Sequence, residues 1–278
     1  MSDIDLPKKR QQSPSTIKIV SWNVCGIRAL LKKNELFFNL IQREDPDILC
    51  LNETRLQESQ VEEIRKKFPD QYFSYFACAS SKKGYSGVAI LSKIKPESVK
   101  LQEIQQHDNE GRILIAEFSE IFIIATYVPC AGERLKRLDY RVQVWDSDLR
   151  NTIKQLSESK KVVWCGDLNV VNEDIDIYSL KGKEKSGCCT PQERSSFKKT
   201  LKDCELVDTL RVVNPELQKY SYYPRRNVRA KEKGQGWRLD YILVSRSLKD
   251  NIKAADIKNE YEGSDHYPVI TELQNISL

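Results

Sequence analysis

The chain has 278 residues, 40% hydrophobic and 31% charged, with a formal net charge of +5. That is the composition of a soluble globular protein, of a length for one large domain or two small ones. No apolar run reaches the ~20 residues of a membrane span, so no membrane partner is expected, and eight cysteines without a C-x-x-C pair argue against a zinc site.

Taken in order, residues 1–16, MSDIDLPKKRQQSPST, are polar and lack the apolar stretch of a secretory signal. They are expected to be a disordered tail, with KKR a weak nuclear-address signal; a nuclear location is expected, with a mitochondrial or cytoplasmic pool as the alternative. A single domain is expected over 17–278. Strand-like runs follow, rich in Val and Ile and bounded by Gly, Pro, Asn or Asp: IKIVSWNV, DILCLNE, SGVAILS, RILIAEF, IFIIATYV, KKVVWCGDLN, RLDYILV and YPVITEL. Between the first two, NELFFNLIQRE puts Leu36, Phe37, Leu40 and Ile41 on one face, with Asn34 as N-cap. RILIAEFSEIFIIATYV reads as a hairpin. RLKRLDYRVQVWDSDLRNTIKQLSES is long enough for a helix of several turns. TPQERSSFKKTLKDC opens with a capping threonine, proline at the first helical position and Glu193 three residues after Thr190. Some strands are joined by helices and others by turns, so mixed sheets with helices outside are expected. Cys50 and Cys165 lie within apolar runs and read as buried thiols; all eight cysteines are expected to be reduced.

Polar residues recur where the strands end: Asn23, Glu53, Tyr127, Asp167 with Asn169, Asp240, and Asp265 with His266. One such residue is most simply a turn or a cap. Six clusters at strand ends suit loops converging on one site carried by a rigid scaffold. Carboxylates supply hard oxygen ligands for Mg²⁺, and with one relevant histidine and scattered thiols a soft-metal site is disfavoured. Neighbours in an extended segment point to opposite faces, so Asp265 and His266 do not pair. Asp240, from another strand, is the better partner for the imidazole, which leaves Asp265 to face a metal. Asp167 and Asn169, two apart, share a face and hold a water between them. The arrangement describes phosphodiester hydrolysis, with Tyr127 and His266 stabilising the transition state.

Pro224 to Arg238, PRRNVRAKEKGQGWR, carries six Lys and Arg, among them Arg225, Arg226 and Arg229, against one Glu. Beside YSYY and Trp237 it suits a phosphate backbone and exposed bases. A solvated surface loop is the other reading, and composition alone leaves both open.

In order along nearly the whole chain, SWNVCGIRA, DILCLNETR, KGYSGVAILS, NEGRILIAEF, YVPCAG, RLDYR, CGDLNVVNEDIDI, TPQER, GWRLDYILVS and SDHYPV resemble the exonuclease III-type apurinic/apyrimidinic endonucleases of the endonuclease/exonuclease/phosphatase superfamily. GWRLDY together with SDH separates these DNA enzymes from the phosphatases and sphingomyelinases on the same scaffold. The resemblance implies a four-layer α/β sandwich of the DNase I-like type, two mixed sheets face to face with helices outside. It implies incision 5′ to abasic sites in double-stranded DNA, dependent on Mg²⁺ with Mn²⁺ as a substitute, with trimming of blocked 3′ ends as a second activity, by a monomer. Carried over, Glu53 is the main metal ligand with Asp265 nearby, and Asn23, Asp167 and Asn169 complete the metal site. His266 with Asp240 is the His–Asp pair. Asp167 positions or deprotonates the water beside the metal, and Asn169 and Tyr127 contact phosphate. Tyr222, Trp237 and Leu239 match the pocket for the extruded abasic sugar; Arg28, Ala29 and Tyr85 match contacts to the DNA backbone.

Three positions depart from the family. Cys25 stands where an Asp is usual, Cys130 where a phosphate-gripping Asn is usual, and Glu133 where the animal enzymes have an Arg that reaches into the duplex. Weaker metal binding, a looser phosphate grip and repulsion of DNA by an inward Glu133 are the expected effects. They raise two alternatives: a relative with weakened or no catalysis that serves as a DNA-binding subunit, and a 3′-end exonuclease specialist. If Cys25 and Cys130 both lie at the active centre, a disulfide between them would close it; the strict geometry of that bond favours two independent substitutions instead.

Overall fold

The computed structural model of the protein describes residues 16–32, 35–101, 109–224 and 229–278. The expected tail, up to residue 15, the cap Asn34, and Arg225 and Arg226 lie outside the described residues. Twelve strands and six α-helices follow one another among the described residues. The first half has β1 (Thr16–Asn23), α1 (Ile27–Leu31), α2 (Glu35–Glu44), β2 (Ile48–Asn52), α3 (Val61–Arg65), β3 (Phe73–Ala77), β4 (Val88–Ser92), β5 (Ser98–Leu101), β6 (Ile113–Glu117) and β7 (Ile121–Tyr127). The second has α4 (Asp146–Ser157), β8 (Lys161–Asp167), α5 (Pro191–Asp203), β9 (Leu206–Asp208), α6 (Thr209–Val213), β10 (Asp240–Ser245), β11 (Ile252–Ile257) and β12 (Val269–Gln274).

They form two six-stranded sheets, ordered β11-β12-β1-β2-β4-β3 and β5-β6-β7-β8-β10-β9. Pairing is parallel for β1 with β2 and for β7 with β8, and antiparallel elsewhere. The sheets are therefore mixed, as the joining elements predict. Strand alternation explains the layers. Ile19, Ile48, Cys50 and Ile90 of one sheet meet Ile123, Val163, Cys165 and Ile242 of the other in a central core. The intervening Val20, Trp22, Leu49 and Leu51 face Ile27, Phe37, Leu40 and Ile64 of α1–α3. On the opposite side Phe122, Val162, Trp164 and Leu243 face Leu149, Ile153 and Phe197 of α4 and α5. Both faces of the central strands are covered, so they read as continuous apolar runs rather than alternating ones. The result is the expected four-layer sandwich.

α5 begins as predicted: Thr190 Oγ1 accepts from the Glu193 amide at 3.2 Å, and Glu193 Oε2 accepts in return from Thr190. The long helical pattern before β8 does not become one helix. It breaks into a 3₁₀ turn (Glu133–Leu135), a π-helical turn (Tyr140–Trp145) and α4. Arg141 lies buried in the π turn, bonded to Asp146 Oδ1 (2.7 Å) and to the carbonyls of Pro129 and Leu168 (3.1 and 3.0 Å). Its guanidinium thus ties down the segments that leave β7 and β8.

Gly166 is the residue most constrained by this packing. At φ 144 it lies beside Thr126, and an added Cβ would fall 1.9 Å from the Thr126 carbonyl oxygen. That same oxygen accepts from Asn52 Nδ2 of the facing sheet at 2.8 Å. Gly166→Ala is expected to lower stability by about 3 kcal/mol or more through backbone strain and overpacking, measured as a fall in the midpoint of chemical unfolding.

Candidate active site

Strand register brings the polar strand ends together. Parallel pairing sets Asn23 beside Asn52, so that Glu53 follows at the same edge, and sets Tyr127 beside Asp167. Antiparallel pairing sets Asp240, the first residue of β10, opposite Asp167. His266 lies just ahead of β12, which runs antiparallel to β1; Trp22 Nε1 donates to its carbonyl at 3.0 Å, and Ser264 Oγ donates to the Asn23 carbonyl at 2.7 Å. Glu53, Tyr127, Asp167, Asn169, Asp265 and His266 open on one cavity of about 450 Å³, while Asn23, Asn52 and Asp240 are buried behind it. Five residues here hold non-glycine left-handed backbone: Cys25 (φ 47), Glu53 (φ 53), Arg55 (φ 55), Asn169 (φ 48) and Cys188 (φ 71). Such strain gathers where the surrounding structure over-determines a site.

The imidazole of His266 is buried between two carboxylates. Its Nδ1 is 2.7 Å from Asp240 Oδ2 and its Nε2 is 3.8 Å from Asp167 Oδ2. The expected pairing with Asp240 rather than Asp265 is therefore the one formed. Ser221, which the sequence did not single out, donates to Asp240 Oδ2 at 2.7 Å and holds the carboxylate from behind. Burial alone would lower the His266 pKa, but the charges of Asp240 and Asp167 outweigh it and raise it to about 10. Burial pushes the Asp167 carboxyl up to about 7, against the opposing charge of His266. Burial, with the charges of Glu53 and Asp167, also drives Tyr127 well above the ordinary phenol range, so its hydroxyl stays protonated and can donate.

Asp167 also meets the other sheet: Asn23 Nδ2 donates to its Oδ2 at 2.8 Å and to Glu53 Oε2 at 3.2 Å. Asn169 meets Asp167 differently from the expected i, i+2 strand pair. The strand ends at Asp167, the chain turns left-handed at Asn169, and the Asn169 amide N–H donates to Asp167 Oδ1 at 3.0 Å. The Asn169 side chain donates to the Val128 carbonyl (2.8 Å), which leaves its second N–H available, and its Oδ1 accepts from Cys188 Sγ (3.4 Å).

A divalent cation fits the carboxylate side of this cavity. Among the described residues, Glu53, Asp265 and Asp167 line it against one guanidinium, that of Arg55, and one imidazolium. Their oxygens suit a hard cation. Asp167, Asp240 and His266 also stand within 4.8 Å of one another, the one such group among the described residues. His266 is a poor ligand there, because Nδ1 is committed to Asp240 and the ring is held protonated; the oxygens around Glu53 fit a cation better. Arg55 donates to Glu53 Oε1 through Nε at 3.0 Å and approaches Cys25 Sγ at 3.4 Å. This contact gave no periodic signal in the sequence.

The far wall is aromatic. Tyr222, Trp237 and Leu239 line the cavity; the Tyr222 ring lies 4.7 Å from His266 and edge-on to Trp237 at 6.3 Å. Arg112, buried and also unforeseen, stacks over Tyr127 at 4.8 Å and donates to the Tyr85 hydroxyl at 2.6 Å. Arg28 and Ala29 are exposed on α1, Tyr85 is half-buried, and Arg229 is exposed; none of them lines the cavity. Glu133 is exposed and does not line it either. Cys25 and Cys130 both line it, but the thiol that meets Cys130 is Cys188, at 3.9 Å, while Cys25 meets Arg55. No disulfide joins any of the cysteines.

Residues 20–266 match the Endonuclease/Exonuclease/phosphatase family. The chain is similar to an exodeoxyribonuclease of Bacillus subtilis (strain 168), 40% identical over 255 residues that cover 91% of this chain and 98% of the relative. It is similar to DNA repair nuclease APEX1 of Danio rerio, 40% identical over 257 residues covering 92% and 81%. Among solved structures it resembles the AP endonuclease LMAP of Leishmania major, with a TM-score of 0.85 at 30% identity over 93% of this chain and 88% of that one.

Proposed function

The chain belongs to the endonuclease/exonuclease/phosphatase family, and on that premise we propose that it is a metal-dependent DNA phosphodiesterase of base-excision repair. It incises the backbone 5′ to abasic sites and trims blocked 3′ ends, as a nuclear monomer. One observation carries the reading: His266, clamped by Asp240 at 2.7 Å, faces Asp167 across 3.8 Å at the mouth that Glu53 shares.

The scissile phosphate sits against His266, Tyr127 and Asn169. The imidazolium, the phenol and the second side-chain N–H of Asn169 donate to its oxygens, where charge grows in the transition state. Asp167 accepts the proton of the attacking water, a role suited to a carboxyl titrating near neutrality. Asp240 fixes the imidazole ring and its charge. Glu53 and Asp265, with Asn23 bracing Glu53, would hold Mg²⁺, which would supply Lewis-acid stabilisation of the developing negative charge. Tyr222, Trp237 and Leu239 receive the sugar of the abasic nucleotide, whose missing base lowers the cost of extrusion. Arg28, Ala29, Tyr85 and the basic loop with Arg225, Arg226 and Arg229 grip flanking backbone.

A labelled duplex with one abasic analogue tests this. A single cut on the 5′ side, dependent on Mg²⁺ or Mn²⁺ and abolished by chelation, is the expected result. Retention of the duplex without cutting would mark a DNA-binding subunit, and stepwise shortening from the 3′ end a 3′-end specialist.

Cys25 offers a graded prediction. Its side chain lines the cavity, with the sulfur 3.4 Å from the Arg55 guanidinium that also binds Glu53. Cys25→Asp adds a hard oxygen and a charge. The Mg²⁺ concentration at half-maximal cleavage is expected to fall about ten-fold; superimposable titrations would remove Cys25 from the cation's surroundings.

A further inference from the structure

We propose that Cys130 and Cys188 form a peroxide-responsive dithiol, a covalent modification site at the rim of the catalytic cavity whose oxidation to a disulfide suppresses cleavage. The two sulfurs lie 3.9 Å apart, 58 residues apart in sequence, and both line the cavity. Cys130 is exposed and Cys188 is buried, the arrangement of an attacking thiol with a resolving thiol beneath it. The backbone is built for the approach. Gly187 has no Cβ, and one placed there would come within 3.2 Å of the Cys130 sulfur. Cys188 itself holds a left-handed φ of 71, a strained conformation for a residue other than glycine. Nothing in the proposed hydrolysis uses the Cys188 thiol.

The Cys188 S–H donates to Asn169 Oδ1, and the Cys130 and Cys188 sulfurs lie close enough for either to donate to the other. The contact with Cys188, with the Gly132 backbone, pulls the Cys130 thiol down to about 6 against the partial desolvation of its sulfur at the cavity rim. Thiolate is the reactive form. A soft metal cation shared by the two sulfurs is the competing use of such a pair. It needs three or four protein ligands, and the one His, Cys, Asp and Glu cluster of that size among the described residues contains neither cysteine.

The chemistry balances with a hydroperoxide as oxidant. The Cys130 thiolate attacks the peroxide oxygen; the O–O bond breaks, the alcohol or water leaves, and Cys130 becomes a sulfenic acid. The Cys188 sulfur then attacks the Cys130 sulfur, the S–O bond breaks, and water leaves with the Cys188 proton. Two thiols and one hydrogen peroxide give one disulfide and two waters. The bond removes the S–H that Asn169 Oδ1 accepts and staples the segment after β7 to the segment before α5. The effect on cleavage rests on the nuclease reading above; formation of the disulfide does not.

The test uses the full chain, reduced, desalted and treated with hydrogen peroxide. Peptide mapping is expected to find the Cys130 peptide linked to the peptide of Cys188 and Cys189, with the mass of two hydrogen atoms lost and regained with dithiothreitol. The link survives in Cys189→Ser and Cys25→Ser. It is absent in Cys188→Ser, where dimedone instead traps Cys130 as the sulfenic acid. Cleavage by the linked protein falls by roughly 10²-fold, the size of a displacement of about 1 Å at a reacting centre, and returns on reduction. No link, a link from Cys130 to Cys25 or Cys189, or a linked protein that cleaves at full rate would overturn the proposal. A reduced protein that cleaves no abasic duplex overturns the nuclease reading, while the mass measurement still decides the site.

Discussion

Asparagine in place of His266 is expected to lower kcat/KM on an abasic duplex by about 10³-fold, with duplex affinity changed far less. The side chain is buried, its Nδ1 is fixed by Asp240, and its Nε2 faces Asp167 at the cavity. Asparagine keeps polarity but cannot carry the charge. Asp240→Asn separates orientation from charge. The Asp240 carboxylate is the largest influence raising the imidazole, so without it His266 loses its proton at lower pH. The alkaline limb of the kcat profile should therefore move to lower pH in that variant, with kcat reduced by about 10² to 10⁴-fold. Activity in His266→Asn above a tenth of wild type, with the protein still folded by circular dichroism, would refute the assigned role.

Glu53→Gln should fail differently. It removes one negative charge from the carboxylate cluster and releases Arg55 from its partner. The freed guanidinium then adds its charge to repulsion of the cation. Mg²⁺ affinity is expected to weaken about 100-fold or more, with cleavage partly restored at high Mg²⁺. His266→Asn gains nothing from added metal. A Mg²⁺ titration of the two variants side by side distinguishes them, and identical curves for wild type and Glu53→Gln would place the cation elsewhere.

The fold was legible where burial on both faces leaves long Val- and Ile-rich runs, as in β1, β7 and β8, and where a side chain announces a helix start, as Thr190 does for α5. It was illegible where local signals are weak. α1 has five residues and no side-chain cap, β9 has three residues, and β11 is the polar-interrupted IKAADI. The π turn at Tyr140–Trp145 depends on a buried arginine reaching Pro129 and Leu168, a tertiary cause that no periodicity reveals. Within the site, the strand-end rule found Glu53, Asp167, Asp240 and His266. The choice of Asp240 over Asp265 for the imidazole followed from alternation alone. Arg55, Arg112, Ser221 and Cys188 were missed because each acts through a contact set by packing. For the thiols, sequence placed Cys25 and Cys130 in one cavity but could not say that Cys130 would meet Cys188 and Cys25 would meet Arg55.

Two buried amides, Asn23 and Asn52, end adjacent parallel strands of one sheet and reach through to the other, to Asp167 Oδ2 and to the Thr126 carbonyl, each at 2.8 Å. They act as clasps against shear. Were one layer to slip by a single residue's rise, ~3.3 Å, both would open, and Asp167 would be drawn away from His266 in the same movement. The molecule thus has no route to loosening its halves while keeping its chemistry, and on heating, catalytic competence and interlayer registry should vanish at one temperature.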